Sequence, residues 1–259
     1  MKKLLKVFAL VTMLVLGGQA KAQIHGSLFL GGALPMEHYA SFEDFNNFAL
    51  TSTDVDADFA GAGTGFTAGF RWYFNVGVKG LDVLLSVDGI YNGPCSDLKN
   101  TYRDMESSFE GPLVDYSFKY NSTPKYINVP AMLGLKYTYN FNSSLGVFIE
   151  AGAGGNARFI TEMESVSQSK LAGIDTRITT IQKYEKAFSF AYQAGIGIEV
   201  SKNLMIGCSF YDLGGAAVSG EQTVKTKTLN DNVTNTANDF HDYGYVHPVM
   251  VLGRIGFSF

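Results

Sequence analysis

The chain has 259 residues, 46% of them apolar and 17% charged, with 29 glycines and six prolines. That composition excludes a disordered or collagen-like polymer and fits one ordered domain or two small ones. Beyond the N-terminus no stretch approaches the roughly 18 unbroken apolar residues of a membrane helix, so a helical membrane protein is excluded as well.

Lys2, Lys3 and Lys6 precede an apolar run from Val7 to Leu16, and Ala20-Lys21-Ala22 supplies an A-x-A cleavage pattern. Residues 1–22 therefore read as a secretory signal peptide and residues 23–259 as the mature protein. The formal charge is −4, and the leader holds four lysines (2, 3, 6 and 21) and no acid, which leaves −8 after cleavage. An acidic exported chain is a poor nucleic-acid ligand. Two cysteines, Cys95 and Cys208, do not make a disulfide scaffold.

From there the sequence alternates with period two in eight segments, one parity apolar and the other glycine, small, polar or charged. The first places Ile24, Leu28, Leu30 and Leu34 opposite His25 and Ser27. The second places Phe66, Ala68, Phe70, Trp72 and Phe74 opposite Gly65, Thr67, Gly69, Arg71 and Tyr73. In the third, Leu81, Val83, Leu85, Val87 and Tyr91 oppose Asp82, Ser86, Asp88 and Asn92. The fourth runs from Asn128 to Phe141 with Lys136 on its polar parity, and Pro130 inside it predicts a bulge or bend. The fifth sets Val147, Ile149, Ala151, Ala153 and Phe159 against Phe148, Glu150, Gly152, Asn156 and Arg158. The sixth sets Phe188, Phe190, Tyr192, Ala194, Ile196 and Ile198 against Ser189, Gln193, Gly195, Gly197 and Glu199. Leu204, Ile206, Cys208 and Phe210 form the apolar side of the seventh. Val249, Val251, Ile255, Phe257 and Phe259 form that of the eighth, opposite Arg254.

Connections alternate in length. Short ones lie near residues 75–80, 142–144 and 201–203; long ones near 35–59, 93–125, 161–186 and 214–247. This predicts an eight-stranded antiparallel up-and-down transmembrane β-barrel with short periplasmic turns and long extracellular loops. A secreted β-sandwich also alternates. Facing a core, however, the apolar parity would overfill a small interior and leave a row of glycines exposed, whereas facing lipid it forms a continuous belt around a narrow lumen. Trp72, Phe74, Tyr137, Tyr139, Phe141, Phe257 and Phe259 gather beside the short turns, as an interfacial aromatic girdle does.

With Gly253-Arg254-Ile255-Gly256-Phe257-Ser258-Phe259, Tyr126-Ile127-Asn128-Val129-Pro130 and Gly195-Ile196-Gly197-Ile198-Glu199-Val200 before a Lys202-Asn203 turn, the chain resembles the small eight-stranded outer-membrane β-barrels. In particular it resembles the porin-like barrel domain of Bacteroidetes type. The resemblance implies residence in the outer membrane of a Gram-negative bacterium, contact with its lipid and lipopolysaccharide, and assembly by the outer-membrane insertion machinery. It specifies architecture and is nearly silent on activity.

Eight charged residues share the lumen parity, four of each sign: Arg71, Lys136, Arg158 and Arg254 with Asp82, Asp88, Glu150 and Glu199. They read as a salt-bridged plug, or else as a charge-lined path for a solute. Of four histidines, His25 shares a face with Ser27, but at the periplasmic end, away from outer-leaflet lipid. No nucleophile elbow or metalloprotease motif accompanies them, so no catalytic residue, cofactor or metal site is expected. Asp54, Asp56 and Asp58, with Glu43 and Asp44, form an acidic loop without the EF-hand spacing. His38 lies in the same long connection, and His241 and His247 flank the last segment. Cys208 and Cys95 fall on distant strands and are expected to be free thiols. The expected function is non-enzymatic: envelope integrity or surface interaction through the loops. Porin-like passage of small solutes, and a barrel component of a protein secretion apparatus, remain the alternatives.

Overall fold

The computed structural model describes residues 24–36, 39, 61–94, 114–171, 174–201, 203–228 and 233–259. Eight strands close into an antiparallel barrel: β1 (Ile24–Met36), β2 (Ala62–Asn75), β3 (Leu81–Pro94), β5 (Tyr126–Asn140), β6 (Leu145–Ile160), β9 (Ala187–Val200), β10 (Leu204–Asp212) and β13 (Val249–Ser258). Neighbours around the wall follow chain order, and β1 closes on β13 from Ser27↔Ser258 to Met36↔Val249. The seam is extended by Gly26 and Phe259, whose amides and carbonyls exchange hydrogen bonds of 3.0 and 3.2 Å. Both described ends of the chain thus lie on the short-turn side. Tight reversal there is local chemistry: Gly77 and Gly80 take φ of 81° and 80°, where a side chain would be strained.

The apolar parity faces outward on every barrel strand. Leu30, Phe66, Leu135, Ile149, Ile196 and Phe257 are exposed, with Phe188 74% accessible, while their sequence neighbours on the other parity are buried or half-buried. A water-soluble sandwich would bury this set. A closed barrel has no unpaired edge and carries its apolar band outside, which is the solution to spanning a bilayer with strands.

Two expectations are corrected. Pro130 produces no bulge: the β5–β6 ladder runs through Pro130↔Asn156 without a shift. On its other side, pairing with β3 lapses between Val87↔Ala131 and Ile90↔Asn128 and resumes in the same register. The missing N–H is therefore accommodated by a gap in the ladder. Second, the described parts of three long connections are strands rather than loops. They contain β4 (Val114–Ser122), β7 (Met163–Leu171), β8 (Ile174–Tyr184), β11 (Ala216–Thr228) and β12 (Val233–Val246), which form a five-stranded sheet in the order β12-β11-β8-β7-β4.

That order mirrors the barrel. Each strand of the second sheet adjoins a barrel strand across a break of two or three residues: β4 with β5, β7 with β6, β8 with β9, β11 with β10 and β12 with β13. Backbone bonds stitch the breaks, from Thr161 N to Lys125 O at 3.0 Å, from Glu185 N to Ser219 O at 2.9 Å and from Leu213 N to Pro248 O at 2.9 Å. Five neighbouring staves of the barrel thus continue as an upright sheet beyond the apolar band, whereas β1, β2 and β3 have no such continuation among the described residues.

Candidate functional site

The lumen is filled in layers. Nearest the short turns, Lys136 Nζ lies 3.0 Å from Glu199 Oε2 and sits over the rings of Tyr73 and Phe148, at 4.5 and 4.9 Å from their centroids. Asp82 accepts a 3.2 Å bond from Asn75 Nδ2. Phe29, Tyr73, Leu84, Phe148 and Met205 form an apolar cluster at this level.

Above it stands the charge cluster. The Arg71 guanidinium bonds Glu150 Oε1 through Nη1, and through Nη2 it reaches the Tyr211 hydroxyl at 2.8 Å and Gln193 Oε1 at 3.3 Å. Arg254 Nη2 donates to the same Glu150 oxygen at 2.7 Å and also bonds Ser209 Oγ. Tyr211 in turn donates to Asp88 Oδ2 at 2.6 Å, and Asp88 lies 3.7 Å from Arg71. Two guanidiniums and two carboxylates make a neutral group. Both guanidiniums also lie over the Phe29 ring, at 4.9 and 5.3 Å. Space for the cluster comes from glycine: a Cβ at Gly69 would strike the Asp88 carboxylate, and one at Gly195 would strike Ser209 Oγ and approach Glu150 Oε1 at 2.9 Å.

Toward the long-connection end, Arg158 has no carboxylate partner among the described residues. It donates to two backbone carbonyls instead, Val246 O at 2.7 Å and Gly214 O at 2.8 Å, at the breaks where the wall passes into the second sheet. Asn128 accepts from Asn156 at 3.1 Å and donates to the Tyr39 hydroxyl at 3.3 Å. Burial, with Tyr126 beside it, pushes the Tyr39 phenol above its usual range, so it stays neutral. Tyr39, Ile90, Tyr126, Met132, Leu213 and Leu252 belong to an apolar cluster that caps the charges.

The eight lumen-parity charges are thus all inward, but they do not form one network. Four make the central cluster, Lys136 and Glu199 pair lower down, and Arg158 and Asp82 are held by uncharged groups. Apolar side chains on the same parity, among them Phe29, Leu84, Met132, Met205 and Leu252, fill the levels between them. Arg71 is 0% accessible and Glu150 and Arg254 are 4% accessible, so the described side chains pack closely around the central cluster.

Residues of the aromatic girdle sit at the short-turn end, where Trp72 pairs with Leu85, Phe74 with Val83, Tyr137 with Leu81, Tyr139 with Val147 and Phe257 with Leu204, and Phe141 and Phe259 follow at strand ends. Tyr139 and Phe141 meet edge to face at 5.3 Å, and Phe259 lies 5.8 Å from Phe70. His25 stacks on Tyr73 at 5.1 Å, while Ser27 Oγ bonds Ser258 Oγ at 2.7 Å, so the two are engaged separately. His247 Nε2 lies 2.7 Å from Asp212 Oδ1 at the upper rim. Cys208 is a free, exposed thiol on the outer face. Residues 1–22, expected to be a signal peptide, lie outside the described residues, as do His38, Glu43, Asp44, Asp54, Asp56, Asp58, Cys95, Lys202 and the side chain of His241.

No family model matches the chain, and no curated protein matches it. Solved structures it resembles include Ail, the attachment invasion locus protein of Yersinia pestis, at 16% identity and TM-score 0.30 over 91% of this chain and 98% of that one. A major outer membrane protein from Thermus thermophilus follows at 10% identity and TM-score 0.43, over 92% and 100%. The outer membrane protein OprG from Pseudomonas aeruginosa resembles it at 11% identity and TM-score 0.35, over 91% and 94%. The chain is an eight-stranded antiparallel β-barrel of membrane-spanning type, as its own strand pairing and apolar exterior establish.

Proposed function

We propose that the protein is a non-enzymatic integral protein of a Gram-negative outer membrane, in which the barrel is a sealed anchor and the five-stranded sheet is the surface that interacts. One observation carries this reading: the wall continues outward as a sheet while the described side chains fill the lumen beneath it around a wholly buried Arg71. A stave-like extension serves nothing inside the bilayer, and a filled lumen serves no flow. In this reading residues 1–22 are removed near Ala22, the insertion machinery assembles the barrel, and the girdle of Trp72, Phe74, Tyr137, Tyr139, Phe141, Phe257 and Phe259 sits at the inner headgroup level beside lipid. The sheet and the long connections then lie outside the cell, next to lipopolysaccharide. Membership in the porin-like Bacteroidetes-type family, the likeness carried by the C-terminal and Tyr126–Pro130 motifs, fits the same picture. A role as the barrel component of a secretion complex would use the same outward sheet.

Porin-like passage is the second reading, supported by the inward placement of all eight lumen charges. Fractionation of the native envelope, electrophoresis with and without boiling, and planar-bilayer recording separate the readings. The proposal expects recovery in the outer membrane, a boiling-dependent mobility shift and no unitary conductance. Recovery in the soluble fraction overturns the barrel anchor, and stable ion conductance by the folded monomer overturns the sealed lumen.

A further inference from the structure

The two faces of the outer sheet differ in charge. Pairing registers align Lys119, Val166, Thr179, Lys225 and Thr236 in one row across the five strands, and Ser117, Gln168, Arg177, Lys227 and Thr234 in another two residues along. Side chains two residues apart share a face. On that face Lys119, Arg177, Lys225, Gln168, Thr234 and Thr236 are exposed. Four cations therefore stand in two adjacent rows that contain no acid, and none of the four is in a salt bridge among the described residues.

Acids border the patch without entering it. Glu164 accepts a 2.6 Å bond from Asn121, and Asp175 accepts bonds of 3.1 and 3.3 Å from Gln168. On the opposite face the corresponding rows, Tyr120, Ser165, Thr180, Val224 and Ala237, then Phe118, Ser167, Ile178, Thr226 and Asn235, contain no charge at all. Such segregation goes against the overall acidity of the chain.

Its dimensions indicate the kind of ligand. Lys119 and Lys225 are three strands apart, about 14 Å, and the rows are about 7 Å apart. The surface sets exposed cations among hydroxyl and amide groups, with Val166 buried between Lys119 and Thr179, and suits an extended chain that carries repeated negative charges and hydroxyls. Height above the bilayer narrows the source. Thr179 precedes Phe188, in the outward apolar band, by nine residues, or up to about 30 Å of strand. The headgroup layer adds only about 5–8 Å beyond the hydrocarbon.

We infer that the rows bearing Lys119, Arg177, Lys225 and Lys227 are a docking surface for a linear anionic polysaccharide outside the bilayer. The inference rests on the reading of the sheet as the interacting surface. Dextran sulfate, with neutral dextran as control, is the probe, and binding is followed by fluorescence anisotropy on the folded full-length barrel in detergent. Wild type binds dextran sulfate and not dextran, and affinity falls as salt rises. The Lys119→Gln/Arg177→Gln/Lys225→Gln/Lys227→Gln variant binds about tenfold or more weakly, and the Lys225→Gln/Lys227→Gln pair is intermediate. Lys170→Gln/Lys183→Gln, which changes charge outside the two rows, stays within about twofold. A boiling-dependent mobility shift verifies folding of each variant, and the paired variant decides if the fourfold one fails it. The inference is overturned if wild type ignores dextran sulfate at low salt, or if the control pair loses as much as the patch pair. It is overturned in favour of envelope lipid if only lipopolysaccharide-bearing vesicles bind through these residues. Each of these outcomes is independent of conductance, so the patch can fail while the sealed anchor stands.

Discussion

Replacing Glu150 by Gln is the sharpest test of the central cluster. One carboxylate oxygen, Glu150 Oε1, is shared by Arg71 and Arg254, and all three side chains are almost inaccessible. The variant keeps the shape and removes one negative charge, so two buried guanidiniums are left with Asp88 as their carboxylate. Removing one partner of a buried pair costs about 3–5 kcal/mol because a charge is left uncompensated. With a urea dependence of about 1–3 kcal/mol per molar, the unfolding midpoint of the lipid-embedded barrel should fall by at least about 1 M. Adding Arg254→Gln restores neutrality, so the double variant should be less destabilised than the sum of the single variants, with a coupling of about 0.5–3 kcal/mol. Intrinsic fluorescence and resistance to unfolding in detergent report both. A midpoint unchanged in Glu150→Gln, or strict additivity in the double variant, refutes the reasoning.

Two further outcomes follow from the same packing. Gly195→Ala should destabilise the barrel by about 1–3 kcal/mol through overpacking against Ser209 and Glu150, whereas Gly253→Ala, whose Cβ would meet nothing within 4 Å, should leave the midpoint unchanged; equal effects contradict the layered lumen. In proteoliposomes of a Cys95→Ser chain, Cys208 should react with a lipophilic maleimide and resist a charged one until detergent is added, because it faces outward mid-strand. Equal reactivity toward both reagents would place that face in water.

The eight staves were legible because one side meets lipid and the other does not, a contrast that period-two alternation records directly. The outer sheet lacked that contrast. Along β11 the run Thr223-Val224-Lys225-Thr226-Lys227-Thr228 puts hydroxyls and cations beside one another, and neither parity is apolar, so it reads as a polar connection. Its β-branched Thr and Val residues were the available signal. The apolar filling of the lumen was hidden for the opposite reason. Leu84 beside Leu85, and Leu252 beside Val251, read as continuous apolar runs in which the inward member is indistinguishable from the lipid-facing one. Arg158 was legible as inward, but its carbonyl partners at Val246 and Gly214 depend on breaks that no local pattern announces.

The chain has a single tryptophan, Trp72, on the outward parity of β2 near the short turns. Its fluorescence in vesicles tests the central claim, that the apolar parity meets lipid, most directly. Phospholipids brominated near the headgroup end of their acyl chains should quench Trp72 more strongly than aqueous iodide does. Quenching by iodide with no response to brominated lipid would mean that the outer face is in water, and would contradict the membrane-spanning barrel.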